Sequence, residues 1–339
     1  MKKIIYICVL GLICFLKGNA QSGVGVHFED EVSWGRAMAK AKAENKYVFV
    51  YCFASWCAPC EKMDQEVYVK ADVGEFMNKN FVSVRLQMDS TSNDAAATND
   101  NYAAAHQIMK QFSVNAFPSF IFLDPDGNIV HRDVGFLEAS DLIKVANSAL
   151  DTSEQYYTLL GDFKVGRLAY GKMPGLIKAL NRIGEKDNAR NIADYYIENY
   201  LLTMNKSTLF QQDNIRFITS NTHSTHGKAF EWLYRNAGEV DSAMEFGRFS
   251  EEIIENTIAK YEVNPITKKW DSLGRKDVGS RDWNELQEEI RKKYTDAYAA
   301  RVVLGAQLRW NRAKKDWDKL VYYEVKKIEN YGLDTAGTN

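Results

Sequence analysis

The segment Tyr47-Val48-Phe49-Val50-Tyr51-Cys52-Phe53 is an unbroken apolar run with no alternation. Such runs form central strands buried on both faces of an α/β sheet. Residues 28–41, from Phe28-Glu29-Asp30-Glu31 into an Ala-rich second half, carry the pattern of an amphipathic helix. A further helix follows Cys57, with Met63, Val67 and Tyr68 on one side. Phe81 to Leu86 predicts a second strand, parallel to the first because a helix intervenes. Residues 90–101 are polar and read as an exposed insertion, and the helical pattern returns from Ala103 to Phe112. Ser119 to Leu123 is a third strand, Asp124-Pro125-Asp126-Gly127 a turn, and Asn128 to Asp133 the returning strand of a hairpin. A helix from Glu138 to Leu150 closes the series. The order is that of an α/β layer with an antiparallel hairpin at one edge.

The pattern changes beyond residue 155. No β-rich run follows, and apolar residues recur at helical spacing, as in Phe246, Phe249, Ile253, Ile258 and Tyr261, or Trp317, Leu320, Val321, Val325 and Ile328. Residues 155–335 are therefore expected to form a separate all-helical domain of stacked antiparallel helices. Ile-Glu-Asn-Tyr stands at both 197–200 and 328–331, a hint of tetratricopeptide-like helix pairs without that repeat's signature residues.

The N-terminus adds a destination. Lys2-Lys3 precede thirteen apolar residues from Ile4 to Leu16, and Gly18-Asn19-Ala20 places small residues before a cleavage point. This is the layout of a secretory signal over residues 1–20, cut after Ala20, so the mature protein is expected to be exported to the periplasm. The apolar stretch is shorter than the roughly 20 residues a membrane-spanning helix needs. Ile13 stands before Cys14 where a lipidation motif needs a small residue, which argues against a lipid anchor. Without the signal, 40 basic and 45 acidic groups leave a net charge of −5. That balance excludes a nucleic-acid binder, which would present concentrated positive charge to phosphates.

Cleavage also leaves three cysteines, Cys52, Cys57 and Cys60. One close pair and an odd third residue make poor scaffolding for an exported protein, and they suit a redox site. Phe53-Ala54-Ser55-Trp56-Cys57-Ala58-Pro59-Cys60, after a buried strand and opening a helix, resembles a thioredoxin active site. Phe117-Pro118-Ser119 resembles the cis-proline loop of that superfamily, and Gly135 sits where the family has a glycine after its hairpin. With Glu61-Lys62-Met63 and Glu66-Val67-Tyr68 following the cysteines, residues 24–150 most resemble the exported thioredoxin-like domains related to the C-terminal domain of DsbD. The resemblance implies a thioredoxin fold followed by the all-helical domain, and thiol–disulfide exchange with protein thiols and disulfides.

The two-residue spacer at a helix start lets both sulfurs meet across one turn. It also sets the first sulfur beside unpaired backbone N–H groups, where the helix dipole favours a thiolate. Cys57 is the expected nucleophile and Cys60 the resolving thiol. Trp56, with Ala58 and Pro59 of the spacer, would contact substrate, and Pro118, cis as the resemblance implies, would present the Phe117 backbone to an extended substrate chain. A zinc site would want four ligands and a second Cys pair is missing, so no metal and no cofactor are expected. Many thioredoxins carry a buried Asp six residues before the first cysteine, a position held here by Tyr51. Asp64, one turn beyond Cys60, matches a carboxylate of the DsbD-type domains and is a candidate base for Cys60, against the alternative of a solvated surface acid. Cys52, on the strand face opposite Tyr51, reads as a small buried hydrophobe. His223 and His226 lack a completing ligand cluster and read as loop polar residues.

The resulting expectation is a periplasmic oxidoreductase that reduces or isomerises disulfides and draws electrons from a separate membrane partner. The alternative is a redox-sensitive scaffold or chaperone in which the helical domain captures a protein.

Overall fold

Strand β1 (Tyr47–Phe53) shows why its sequence lacks alternation. Phe49 and Tyr51 point into one apolar core with Phe120, Phe122, Met63 and Leu142. Val48, Val50 and Cys52 point into another with Ala37, Ala41, Val84, Leu86 and Ile108. Successive side chains leave a strand on opposite faces, so a strand covered on both sides must be apolar at every position.

The computed structural model describes residues 25–29, 33–92, 94, 96–275 and 278–332. The expected signal at 1–20 lies outside them. The chain divides into two units between Gly166 and Arg167. In the first, β1 is flanked by β2 (Phe81–Gln87) in parallel and β3 (Ser119–Leu123) in antiparallel register, and β4 (Ile129–Val134) pairs antiparallel with β3 at the edge. The strand order is β2-β1-β3-β4. Helices α1 (Trp34–Glu44), α2 (Ala58–Lys62), α3 (Ala71–Asn80), α4 (Ala96–Gln111), α5 (Ala139–Leu150) and α6 (Tyr156–Lys164) complete the unit.

Three boundaries differ from the sequence expectation. The first helix begins at Trp34, not at 28. Phe28 instead forms a parallel bridge to Ser83 and packs its ring against Phe49, Tyr51 and Tyr68. The segment around it is tied down by Val26 N–H to the Tyr68 carbonyl at 2.7 Å and by Asn78 Nδ2 to the Gly25 carbonyl at 3.0 Å. A Cβ on Gly74 would stand 2.2 Å from the Gly25 carbonyl oxygen, so that approach requires glycine. The insertion read over 90–101 is already helical from Ala96. The helical domain starts at Arg167 and not at 155, because α6 packs on β4: the Tyr156 ring lies 3.7 Å from the His131 ring, centroid to centroid, and the Tyr156 N–H donates to His131 Nδ1 at 3.4 Å.

The second unit is helical throughout its described residues. It comprises α7 (Met173–Arg182), α8 (Lys186–Asn199), α9 (Lys206–Leu209), α10 (Gln212–Ser220), α11 (Lys228–Arg235), α12 (Ala237–Met244), α13 (Phe249–Ile258), α14 (Asn264–Ser272), α15 (Ser280–Arg291), α16 (Asp296–Lys314) and α17 (Trp317–Tyr331). Its main core gathers Phe230, Leu233, Ile254, Val263, Trp283 and Val302. Trp270, Trp283 and Trp310 pack edge to face, with centroids 5.1, 6.1 and 6.4 Å apart. The shared Ile-Glu-Asn-Tyr does not mark equivalent positions, since Ile197 is fully buried and Ile328 is 45% exposed. The apolar series of α17 also departs from a core pattern. Trp317, Val321, Val325 and Ile328 face solvent, while α17 meets α16 through its other side.

Candidate active site

Cys57 follows β1 as the N-cap of α2 and is joined to Cys60 by a disulfide, with Cα atoms 5.2 Å apart. The Cys60 N–H donates to Cys57 Sγ at 3.2 Å. The first sulfur therefore sits where the helix leaves backbone N–H groups without intrahelical partners, and where the dipole favours negative charge. Pro59, inside the first turn, forfeits only an N–H that has no helical partner there. Both cysteines are buried, Cys60 the deeper at 2% exposure against 6%.

The rim of the site is aromatic. Trp56 is 72% exposed, and its ring meets Phe117 edge to face at 5.9 Å. The Phe117–Pro118 peptide bond is cis. The Pro118 carbonyl accepts the Gly135 N–H at 2.8 Å, and Gly135 has φ +86°, a conformation open to glycine. The Leu137 N–H reaches Met63 Sδ at 3.5 Å. These contacts lash the 116–119 and 135–137 loops to each other and to the helix that follows Cys60. Trp56, Ala58 and Pro59 flank the two cysteines along the chain, and Phe117 joins them through the Trp56 ring.

Behind Cys60 the surroundings are polar. The Tyr51 hydroxyl donates to the Cys60 carbonyl at 3.0 Å. Burial, then the charge of Asp64, push the Tyr51 pKa up, so Tyr51 acts as a neutral donor and not as a base. Asp64 lies in a π-helical turn, Met63–Val67, and Arg85 Nη2 donates to its Oδ2 at 3.0 Å. It is half-buried and paired, neither free in solvent nor sealed in the core. Cys52 is a fully buried free thiol on the opposite face of the sheet, its pKa pushed up to about 12 by burial.

Sequence reasoning passed over two further groups. Asp89, just beyond β2, accepts the Ser55 N–H at 2.9 Å and the Ser55 hydroxyl at 2.5 Å, pinning the loop that leads into Cys57. Arg85 is the second; a lone charged residue inside the apolar run Phe81–Leu86 was the signal for it. His223 and His226 stand apart from this site on the second unit. Among the described residues, no group of three His, Cys, Asp or Glu side chains is placed to hold a metal ion.

A four-stranded sheet with a Cys-X-X-Cys disulfide at a helix N-terminus, opposite a cis-proline loop, defines a thioredoxin-like domain. Residues 34–150 match the family model described as a thioredoxin-like domain. A stretch of 93 residues is 31% identical to the thiol:disulfide interchange protein DsbD 2 of Pseudomonas aeruginosa, covering 27% of this chain and 14% of that protein. Over 132 residues the chain is 29% identical to DsbD of Actinobacillus pleuropneumoniae, covering 38% of this chain and 21% of that one. It thus spans between 14% and 21% of the length of these relatives. The oxidised C-terminal domain of DsbD from Neisseria meningitidis is a similar solved structure, at 16% identity, with 34% of this chain and 90% of that one covered and a TM-score of 0.27. No helix among the described residues is long and apolar enough to cross a membrane.

Proposed function

We propose that the protein is an exported thiol–disulfide oxidoreductase of the periplasm that reduces or isomerises disulfides in other proteins. The observation that carries this is the Cys57–Cys60 disulfide at the N-terminus of α2, rimmed by the exposed Trp56 and by Phe117. Cys57 attacks a substrate disulfide and Cys60 resolves the mixed disulfide, while the apolar Trp56–Phe117 edge and the 117–118 backbone receive an extended substrate chain. Ala58 and Pro59 contact the same chain across the spacer.

The reducing direction is supported by the absence of histidine from the spacer. A histidine cation there would favour the thiolate and make the pair more oxidising. A reductase outside the cytoplasm then needs a membrane electron donor, and no cofactor. The alternative, a redox-sensitive scaffold or chaperone in which the helical unit captures a protein, is favoured by the solvent-facing stripe of α17.

The test is the equilibrium reduction potential of the Cys57–Cys60 pair in glutathione and dithiothreitol buffers. A value near or below about −220 mV supports the reductase, and one near about −120 mV makes the protein a disulfide donor. A pair that never cycles overturns the oxidoreductase and leaves the scaffold.

A further inference from the structure

The polar stretch that begins after β2 is gathered on one carboxylate. Asp94 Oδ1 accepts the Thr91 hydroxyl at 2.7 Å and Gln87 Nε2 at 3.0 Å, and its Oδ2 accepts the Thr91 N–H at 2.6 Å. The Tyr102 hydroxyl, from α4, donates to the same Oδ2. These four donors, from three residues, fill the acceptor sites of one carboxylate. They hold the Asp94 carboxyl well below the usual carboxylate range, the Tyr102 hydroxyl foremost. Asp94 therefore stays ionised, an acceptor for all of them at working pH.

Gln87, the last residue of β2, carries that order back toward the cysteines. Its Nε2 also donates to the Asp89 carbonyl at 3.2 Å, so the amide that Asp94 holds fixes the backbone of Asp89. Asp89 in turn receives the Ser55 N–H and the Ser55 hydroxyl. Ser55 and Trp56 are the central residues of a turn, closed by the Cys57 N–H on the Ala54 carbonyl at 3.1 Å. Ala54 and Cys57 are buried, whereas Ser55 and Trp56 are exposed. The core fixes the two ends of that turn, and Asp89 fixes its crest.

We propose that Asp94 is a positioning residue for substrate docking: through Gln87 and Asp89 it sets the Ser55–Trp56 crest that meets the incoming chain. This rests on the oxidoreductase reading above. Its effect falls on the encounter with a protein substrate and not on the sulfur chemistry. The cysteines themselves are held by the end of β1 and the first turn of α2. With the crest loosened, the Trp56 ring leaves its edge contact with Phe117, and each docking event first has to order it again. That cost appears in the half-saturating substrate concentration, while the maximal rate is kept. A small disulfide that needs no apolar rim reports the chemistry alone.

The test follows oxidation of the reduced protein by insulin and by hydroxyethyl disulfide. Asp94→Ala is expected to raise the half-saturating insulin concentration about threefold to tenfold, with the maximal rate and the hydroxyethyl disulfide rate within about twofold of the parent. Tyr102→Phe, which removes one donor, gives a smaller rise in the same direction. Asp89→Ala gives at least as large a rise, and adding Asp94→Ala to it changes nothing further, since both act through Ser55. Additive effects overturn the proposal, as does an unchanged insulin dependence in folded Asp94→Ala protein or an equal loss with both disulfides. Hydrogen exchange reads the Ser55 amide directly and should quicken about fivefold in Asp94→Ala. Unchanged exchange there overturns the proposal whatever the turnover. A wild-type pair that fails to cycle removes the oxidoreductase reading, while the Ser55 amide still reports whether Asp94 holds the crest.

Discussion

The two units differ in what they bury. The thioredoxin-like unit takes His131, Arg132 and Asp133 of one edge strand to 2% exposure or less, together with a disulfide and a free thiol. Arg132 Nη1 and Nη2 donate to the carbonyls of Phe112 and Ser113 at 2.5 and 3.3 Å, the two residues that follow α4. The helical unit buries mainly apolar side chains, and its buried polar residues, Asn221, Ser250, Thr257 and Asn311, are all uncharged. Trp283 and Trp310 lie within it, Trp270 packs against them part-buried, and its ion pairs, such as Arg301 with Glu251 and Glu255 or Lys293 with Glu262, stay partly exposed. Burying polar groups costs free energy unless each finds partners, so a fold that does it repeatedly is held to a particular geometry. The first unit is organised around chemistry, and the second around packing and surface.

The sharpest way to break this comparison is to remove the chemistry alone. Cys60→Ser is expected to reduce disulfide exchange to background and to leave Cys57 trapped in mixed disulfides, visible on non-reducing gels. Unchanged turnover would remove the first unit's site. The converse is Trp283→Ala, which opens a cavity among the tryptophans. It should cost about 3–5 kcal/mol of stability by denaturant unfolding, with exchange retained where the protein stays folded.

A third measurement sharpens the contrast in buried polarity. Burial lowers the His131 pKa from 6.5 to about 3, so between those values the unfolded chain binds the extra proton. Stability due to neutral His131 is full above pH 6.5 and is lost as pH falls toward 3, by up to about 1.4 kcal/mol per pH unit. In His131→Gln the slope of stability between pH 6 and 4 should flatten, and a slope unaltered by the substitution would count against it. The smallest effect is expected at Lys42–Asp126, a pair 71% exposed on both sides. Asp126→Asn should change stability by less than about 0.5 kcal/mol, and less again in high salt.

Much of the first unit was legible in the chain. The run from Tyr47 to Phe53 declared a strand covered on both faces, and Trp56-Cys57-Ala58-Pro59-Cys60 declared a redox pair on a helix start. What escaped were contacts between residues far apart in sequence: Phe28 with Ser83, Ser55 with Asp89, and Asp64 with Arg85. None of these changes the local hydrophobic period, and each depends on which strand lies beside which. The helical half showed the same divide. Its spacing announced helices, yet α17 turns Trp317, Val321 and Val325 to solvent, where a helical stripe alone suggests core.

By itself, then, the sequence determined the strand–helix order, the cysteine pair and the change to helices after the first unit. Those features follow from local periodicity and from the turn chemistry of a few residues. The tertiary structure alone decided that α6 belongs with the first unit, that Tyr51 serves as a neutral donor to Cys60, and that Arg85 stands between three rings and Asp64. These depend on sheet register and loop closure, through which distant residues share one low-dielectric space, and no local window of sequence records that proximity.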